Sequence, residues 1–276
     1  MANRLKMDFY RLFKTPLFYI LIGATLLFAI YMIGTFMFLD FTLSSIDTQS
    51  LDTDTMNLIL GTMPSDYKSY LELFFMGNFF IVFIVIFAVV FSSAEYKSGY
   101  IKNTAAYTSP RYLSYFSNLI IVTLFTAILF LVGGIIVSVG CILMKEIDFS
   151  KSPDLIWDYV KDLIPFVLTK FLGNVSITAL FLMIFYLLRN ATPVMISGLS
   201  YTMLGTALFA LINVVIAAAF NTTEFDISLY TNLGNMTYLR IGAETGDLIR
   251  SAIVSVVVLG VSSFVACYTL QKKDVR

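Results

Sequence analysis

Six long apolar stretches constrain the fold of this chain more than any other feature of its sequence. Each matches or exceeds the roughly 20 residues that an α-helix needs to cross the hydrocarbon core of a bilayer. They are Leu17–Leu39, Leu71–Ser93, Leu113–Met144, Leu163–Leu188, Val194–Phe220 and Leu248–Leu270. Because a helix satisfies its own backbone hydrogen bonds in lipid, the chain is predicted to be an all-α integral membrane protein with six transmembrane helices.

The composition excludes a soluble globular protein. Hydrophobic residues make up 58% of the chain and charged residues 13%, against roughly 45–50% and 25% in soluble domains. Residues 1–276 are expected to form a single transmembrane domain. The first apolar stretch is expected to be retained, because it is longer than the apolar part of a signal peptide and lacks a small-x-small cleavage site.

The distribution of charge predicts the orientation. Eleven of the 18 basic residues lie before the first stretch, between the second and third, between the fourth and fifth, or after the sixth. Only Asp8, Glu95 and Asp274 oppose them there, so this side carries a net charge of +8 and the other side −8. The positive-inside rule therefore predicts a multi-pass membrane protein with both termini in the cytoplasm.

Residues 1–15 are predicted to form an amphipathic helix in the membrane interface. Its apolar residues at helical spacing are Leu5, Phe9, Leu12 and Phe13, and its charged face has Arg4, Asp8 and Arg11. We expect the apolar side to face the acyl chains and the basic side to face anionic headgroups, with Pro16 ending the helix. A simple positively charged anchor is the alternative interpretation.

The segment between the second and third stretches is charged and contains a turn. It begins Glu95-Tyr96-Lys97-Ser98-Gly99-Tyr100-Ile101-Lys102 and ends Ser109-Pro110-Arg111. An acid, an aromatic residue, a base, one further position, then Gly and Ile-Lys, placed after the second span, resembles the motif of ABC-2 type transporter permeases. The resemblance covers the whole chain in its six-span layout, and residues 95–102 in motif.

That resemblance implies a cytoplasmic coupling helix between helices 2 and 3 that docks on a separate ATPase. Glu95 would pair with a Lys or Arg of the interfacial helix or of neighbouring spans, and Gly99 would permit a tight bend. The ATPase-coupling residues that it implies are Glu95, Tyr96, Lys97, Gly99, Tyr100, Ile101 and Lys102. The alternative is that Glu95 and Lys97 are solvated residues at the end of a span.

Polar residues within spans are costly and usually face a bundle interior or a cavity. On the same resemblance, Asn78, Thr206 and Asn213 are candidates for the translocation path, with ordinary helix packing as the alternative. Lys170 and Glu72 lie toward the ends of their stretches and are expected to extend to the interface. Residues 221–247 are expected to hold a short helix or re-entrant turn.

Several kinds of chemistry are excluded by the residues that the chain lacks. It has no His, which excludes a His-based triad and a His proton shuttle. It has no Gly-Lys dipeptide, so it has no P-loop. Cys141 and Cys267 fall at opposite ends of their spans without metal-ligand neighbours. The chain is therefore expected to be non-catalytic and without a cofactor, and the resemblance implies that a partner ATPase binds ATP and Mg²⁺.

The predicted function is that of a permease subunit that moves an amphiphilic substrate, such as an antimicrobial peptide or a lipid-like molecule. Its expected partners are two ATPase subunits, a second permease subunit and membrane lipid, with no nucleic acid. An ATP-independent carrier or channel would need buried carboxylates in mid-span, and the sequence has none there. An intramembrane enzyme lacks candidate residues, and a membrane assembly scaffold stays as an alternative.

Overall fold

The computed structural model describes residues 2–45, 67–76, 79–97, 112–143, 153–220 and 226–272. These residues form nine α-helices and one 3₁₀ helix, Ile227–Tyr230. The α-helices are α1 (Ala2–Lys14), α2 (Pro16–Ser45), α3 (Tyr67–Met76), α4 (Phe79–Lys97), α5 (Tyr112–Leu143), α6 (Pro153–Leu188), α7 (Ala191–Phe220), α8 (Asn232–Tyr238) and α9 (Thr245–Lys272).

The predicted all-helical fold with six spans is confirmed. Six helical stretches are long and apolar enough to cross a membrane, and the second of them comprises α3 and α4. They are Pro16–Thr35, Ser69–Glu95, Tyr112–Ile142, Val160–Leu188, Ala191–Ala219 and Thr245–Lys272. The chain is thus a multi-span helical membrane protein. The predicted coupling helix between the second and third spans lies outside the described residues.

The spans alternate in direction between two ends of the bundle. At one end, here called the basic end, α1 meets the end of α4 and the start of α5, through the Arg11–Glu95 contact of 3.0 Å and the Arg4–Ser114 contact of 2.7 Å. The end of α6 joins them there through the contact of Tyr186 with Asn118 at 2.7 Å. At the other, here called the far end, the connecting segment 226–243 contacts α3, α6, α7 and α9. This segment contains the 3₁₀ helix and α8, which confirms the expected short helix before the sixth span.

The core of the bundle is built from aromatic rings of α3, α4, α5 and α6. The Phe87 and Phe125 rings stack with centroids 3.9 Å apart, and Phe75 packs on Phe130 at 5.0 Å. In contrast, α7 and α9 leave large side chains such as Met203 and Phe264 exposed. On a helix that faces lipid rather than water, such exposed apolar side chains are the normal arrangement.

The helix α6 passes through Pro165 and ends in a tight reversal. Proline lacks a backbone N–H, but such residues are tolerated in membrane helices where hydroxyl groups and neighbouring helices satisfy the backbone; the Thr169 hydroxyl donates to the Pro165 carbonyl at 2.8 Å. Arg189 has φ of 54°, the left-handed conformation that commonly terminates a helix. Asn190 then accepts a hydrogen bond from the N–H of Thr192 and starts α7.

Candidate functional site

Glu95 lies near the last turn of α4, and its carboxylate is completely buried. Arg11 contacts Oε1 at 3.0 Å, and Arg4 lies 3.6 Å from the same oxygen. The other oxygen, Oε2, accepts hydrogen bonds from the Asn118 amide at 3.0 Å and the Ser114 hydroxyl at 3.1 Å. An ionised carboxylate is costly in apolar surroundings unless it is paired and hydrogen-bonded, and here both oxygens have partners.

The partners from α1 share one face of that helix. Arg4, Asp8 and Arg11 are spaced by four and three residues, which places them on one side of an α-helix. Asp8 is almost fully buried and lies between the two guanidinium groups, at 3.8 Å from Arg4 and 3.6 Å from Arg11. It also accepts a hydrogen bond from the Ser117 hydroxyl at 2.5 Å. The acids Asp8 and Glu95 therefore balance the charges of Arg4 and Arg11, and the contact between α1 and the bundle carries no net charge.

Arg11 is held by more than its carboxylate partners. One of its nitrogens donates to the Phe91 carbonyl at 2.5 Å, and its guanidinium group lies 3.7 Å from the centre of the Phe91 ring. A planar guanidinium can pair with carboxylates and lie over an aromatic face at the same time, which a lysine does less well. The geometry of this position therefore favours arginine.

A hydroxyl group of α6 completes the contact. Tyr186 accepts a hydrogen bond from the Asn118 amide at 2.7 Å, and its oxygen lies 3.4 Å from the Ser114 hydroxyl. Four helices, α1, α4, α5 and α6, thus meet through side chains at the basic end. We call this set the ionic cluster: Arg4, Asp8, Arg11, Glu95, Ser114, Ser117, Asn118 and Tyr186.

The predicted coupling residues are placed only in part. Glu95 has the arginine partners that were expected for it, and both come from the interfacial helix. Tyr96 and Lys97 belong to the last turn of α4, but their side chains lie outside the described residues. Gly99, Tyr100, Ile101 and Lys102 also lie outside them. The contact face that these residues would present to an ATPase stays a prediction.

The orientation predicted for α1 was wrong. Arg4, Asp8 and Arg11 were expected to face lipid headgroups, but they turn inward to Glu95 and to the start of α5. Leu12, expected to lie against lipid, is fully buried in the protein core. The physical reason is the buried Glu95 carboxylate, whose charge is stabilised by the nearest cations.

The sequence interpretation also missed four residues of the cluster: Ser114, Ser117, Asn118 and Tyr186. A signal for three of them was present, because Ser114, Ser117 and Asn118 form a polar stripe at helical spacing in an otherwise apolar stretch. The order of base, acid and base on one face of α1 also indicated that this face pairs with polar groups of another helix.

Of the predicted path residues, Asn213 has a clear role in the local structure. Its side chain donates to Asp226, and its oxygen accepts the Ile227 N–H at 2.8 Å. Asn213 therefore attaches the 226–243 segment to the end of α7. Thr206 is half-buried two turns earlier on the same helix, and Asn78 lies outside the described residues. Participation of these three in a path stays a prediction.

Lys170 does not extend to the interface, so that expectation was wrong. It is completely buried, and its ammonium group donates to the Met236 carbonyl and lies 5.2 Å from the Phe166 ring. Glu72 was also expected to extend to the interface, but its side chain contacts the protein instead. Its carboxylate accepts the Ile241 N–H at 2.5 Å and contacts Arg240 at 3.4 Å. Both side chains hold the 226–243 segment.

Asp226 begins the 3₁₀ helix outside the membrane spans. Its carboxylate accepts the Ser228 hydroxyl at 2.5 Å and the Ser228 N–H at 2.9 Å. Hydrogen bonds from the Ser228 side chain, then from its backbone and from Asn213, hold the pKa of Asp226 below its usual value, against the opposing effect of desolvation. The ionised form is therefore the one that this turn stabilises.

The described residues contain no group of three or more metal-ligating side chains that could hold an ion. Comparisons with protein-family models, with curated proteins and with solved structures find no match to this chain.

Proposed function

We propose that this multi-span membrane protein is the permease subunit of an ATP-binding-cassette transporter of the ABC-2 type. In this proposal it resides in a bacterial cytoplasmic membrane with both termini in the cytoplasm. It moves an amphiphilic substrate, such as an antimicrobial peptide or a lipid-like molecule. Two separate ATPase subunits bind ATP and Mg²⁺, and a second permease subunit, identical or homologous, completes the complex.

The observation that carries the proposal is the way the ionic cluster brackets residues 98–111. Glu95 lies three residues before this segment, and Ser114 and Asn118 lie shortly after it. Both of the latter donate to the Glu95 carboxylate. The chain on either side of the motif-bearing segment is therefore joined by buried hydrogen bonds, and spans two and three would move together if that segment were pushed.

The same cluster links this pair of spans to α1 and α6. Arg11 bonds both the Glu95 carboxylate and the Phe91 carbonyl of α4, and Asn118 bonds Tyr186 of α6. Buried charge-assisted hydrogen bonds are short and directional. A force on the 98–111 segment would thus reach four helices without requiring any group of this chain to hydrolyse ATP.

Charge placement supports this proposal over an ion-coupled carrier. Among the described residues, the fully buried acids are Asp8 and Glu95, and both lie at the basic end in contact with arginine. A carrier would require a carboxylate in mid-span that exchanges its partner during transport. Two carboxylates already neutralised by two arginines fit a structural connection better.

The first experiment is purification of the tagged chain from its native membrane, followed by identification of the proteins that remain bound. We expect an ATP-binding-cassette ATPase to co-purify in a ratio of about one per permease subunit, because two ATPases are proposed for two permeases. If the chain purifies without an ATPase and retains transport in vesicles that contain no nucleotide, the proposal is wrong.

The second experiment tests the 98–111 segment itself. Gly99→Trp should place a bulky side chain at the proposed bend and separate ATP hydrolysis from transport in reconstituted vesicles. Gly246→Trp is the matched control, because Gly246 is exposed at the start of α9 and nothing lies within 4 Å of a Cβ added there. Full coupled transport by Gly99→Trp would contradict the proposal.

A further inference from the structure

The helix α1 has a third face that neither the ionic cluster nor the core uses. At about 100° per residue along an α-helix, five side chains fall in one sector of roughly 120°, away from Arg4, Asp8 and Arg11. The large side chains in this sector, Met7, Tyr10 and Phe13, are 52%, 64% and 49% exposed. We call this the outer face of α1, and it consists of Lys6, Met7, Tyr10, Phe13 and Lys14.

The charge of α1 is divided unequally between its faces. Arg4 and Arg11 are balanced by Asp8 and Glu95 within the ionic cluster. Within α1, the positive charge that is directed away from the protein therefore comes from the two exposed lysines. The ammonium group of Lys14 lies over the Tyr10 ring, 4.6 Å from its centre, so a cation–π contact holds this charge beside the aromatic surface.

The outer face continues directly onto the surface of a membrane span. Only Thr15 separates α1 from α2, and the Phe13 ring packs edge-on against Phe18 of α2 at 5.5 Å. The neighbouring side chains Tyr19 and Ile20 of α2 are exposed, and α2 is a span whose exposed side chains face acyl chains. The apolar surface is therefore continuous from lipid onto α1.

A shallow groove on α1 lies between the outer face and the face of the ionic cluster, and its accessible lining is almost entirely apolar. It encloses about 440 Å³ and is lined by Lys6, Met7, Asp8, Tyr10 and Arg11. Lys and Arg side chains can lie along apolar surface and present their charge at its border. Apolar side chains with lysines at their margin match the boundary between acyl chains and anionic headgroups.

We propose that the outer face of α1 binds anionic phospholipid in the leaflet at the basic end of the bundle. Met7, Tyr10 and Phe13 lie at the acyl boundary, and Lys6 and Lys14 attract the headgroup charge. The partner is a lipid rather than a soluble protein because this surface is continuous with that of α2. This inference goes beyond the proposed transport function and does not depend on it.

The test uses fluorescence at the outer face in the full-length chain. Trp157 is the only tryptophan, so Tyr10→Trp in a Trp157→Phe background reports the lipid beside α1. The variant is reconstituted in mixed phosphatidylcholine and phosphatidylglycerol vesicles in which one or the other lipid is brominated. We expect brominated phosphatidylglycerol to quench more strongly than its share of the bilayer predicts.

Replacing Lys6 and Lys14 with Gln should remove this preference. A lysine near an anionic surface contributes about a fivefold preference, so the pair should change the local enrichment by up to about 25-fold. Lys6→Arg with Lys14→Arg should retain the preference, which shows that the charge matters and that the fold is intact. Lys272→Gln is the matched control, since Lys272 is another exposed lysine that lies 4.6 Å from a tyrosine ring and should leave quenching at position 10 unchanged.

Three results would overturn the inference. The first is equal quenching by the two brominated lipids in the parent variant, which would mean that charge does not select the lipid. The second is the absence of quenching by either lipid, which would place the face in water. The third is quenching that disappears when a co-purified ATPase is added, which would mean that this face belongs to a protein contact.

Discussion

The two ends of the bundle bury polar groups in different ways. At the basic end, the ionic cluster joins α1, α4, α5 and α6 through side chains, with the Glu95 carboxylate at its centre. At the far end, the 226–243 segment is attached by separate contacts from several helices, some of which join a side chain to a backbone group. Lys170 donates to the Met236 carbonyl, and Glu72 accepts the Ile241 N–H.

The difference follows from the charges involved. Glu95 lies near the C-terminus of α4, where the helix dipole opposes a negative charge, so it depends on the two arginines. At the far end, the charged contacts of Lys170 and Glu72 are accompanied by neutral ones, such as the contacts of Asn232 with Gly173, Ser176 and Ser255. We infer that losing one partner destabilises the basic end strongly. The far end should lose less stability from one substitution, because its attachments are distributed over four helices.

The largest expected effect is that of Glu95→Leu. Removing the carboxylate leaves Arg4 and Arg11 without their main partner in a partly buried site, and breaking such a contact costs about 3–5 kcal/mol. The free energy of unfolding, measured by denaturant titration in mixed micelles, should fall by that amount. The loss for Glu95→Gln should be smaller, because the amide oxygen still accepts hydrogen bonds at one of the two positions, although the charge is lost and the amide NH₂ group cannot accept from an N–H donor.

The matched change at the far end is Glu72→Leu. Glu72 is paired with Arg240, which is largely exposed, so this substitution should cost only about 1–2 kcal/mol through the lost hydrogen bonds. If the two leucine variants lose equal stability, the contrast between the two ends is wrong.

The second prediction concerns the close contact between α6 and the 226–243 segment. A Cβ added at Gly173 would overlap the sulfur of Met236, so Gly173→Leu must displace the Met236 side chain and should cost about 1–3 kcal/mol. Met236→Ala should restore part of this loss by making room. Gly23→Leu in α2 is the control, because nothing lies within 4 Å of the added Cβ and the unfolding free energy should not change.

The third prediction is that Lys170→Met has little effect on global stability. The variant loses a charged hydrogen bond but no longer buries an ammonium group, and replacing buried ions with apolar residues of similar volume is often neutral or stabilising. We expect a change within about 1 kcal/mol. Local hydrogen exchange in α8 should nevertheless become faster, because the Met236 carbonyl loses its side-chain partner.

A loss of several kcal/mol in Lys170→Met would show that the far end also depends on a single charge. Unchanged hydrogen exchange in α8 of Lys170→Met would show that Lys170 does not hold the segment. Either outcome would remove the distinction between the two ends.

The six spans and the short helix before the last one were predictable from the sequence, because apolar length and helical period are local properties. The direction in which α1 faces was not. Two faces of this helix are suited to the interface by composition, and the choice between them depends on Glu95, which is more than 80 residues away in the sequence. The pairing of Glu95 with a basic residue was predictable from the family resemblance, whereas the roles of Ser114, Ser117 and Asn118 required knowledge of which face of α5 meets α1.

The position of Lys170 was predicted wrongly because its hydrogen-bond acceptor is a backbone carbonyl in α8, which no residue type in the sequence indicates.

The smallest expected effect is the pH dependence of the 226–243 segment. The pKa of Asp226 is lowered in the folded protein, first by the Ser228 hydroxyl, so the ionised carboxylate stabilises the turn above the unfolded pKa. This contribution is lost as the pH falls through the folded pKa. The protection of the segment against hydrogen exchange, relative to the intrinsic rate at each pH, should therefore decrease in acid, and Ser228→Ala should weaken this dependence, since one hydrogen bond contributes about 1 kcal/mol. The ratio of exchange rates in α8 between Ser228→Ala and the parent chain, measured at each pH, cancels the intrinsic pH effect. It should be greatest near neutral pH and approach one in acid. A ratio that is constant across pH would show that Asp226 does not contribute through its charge, and the charged groups that hold the far end would then be Lys170 and Glu72.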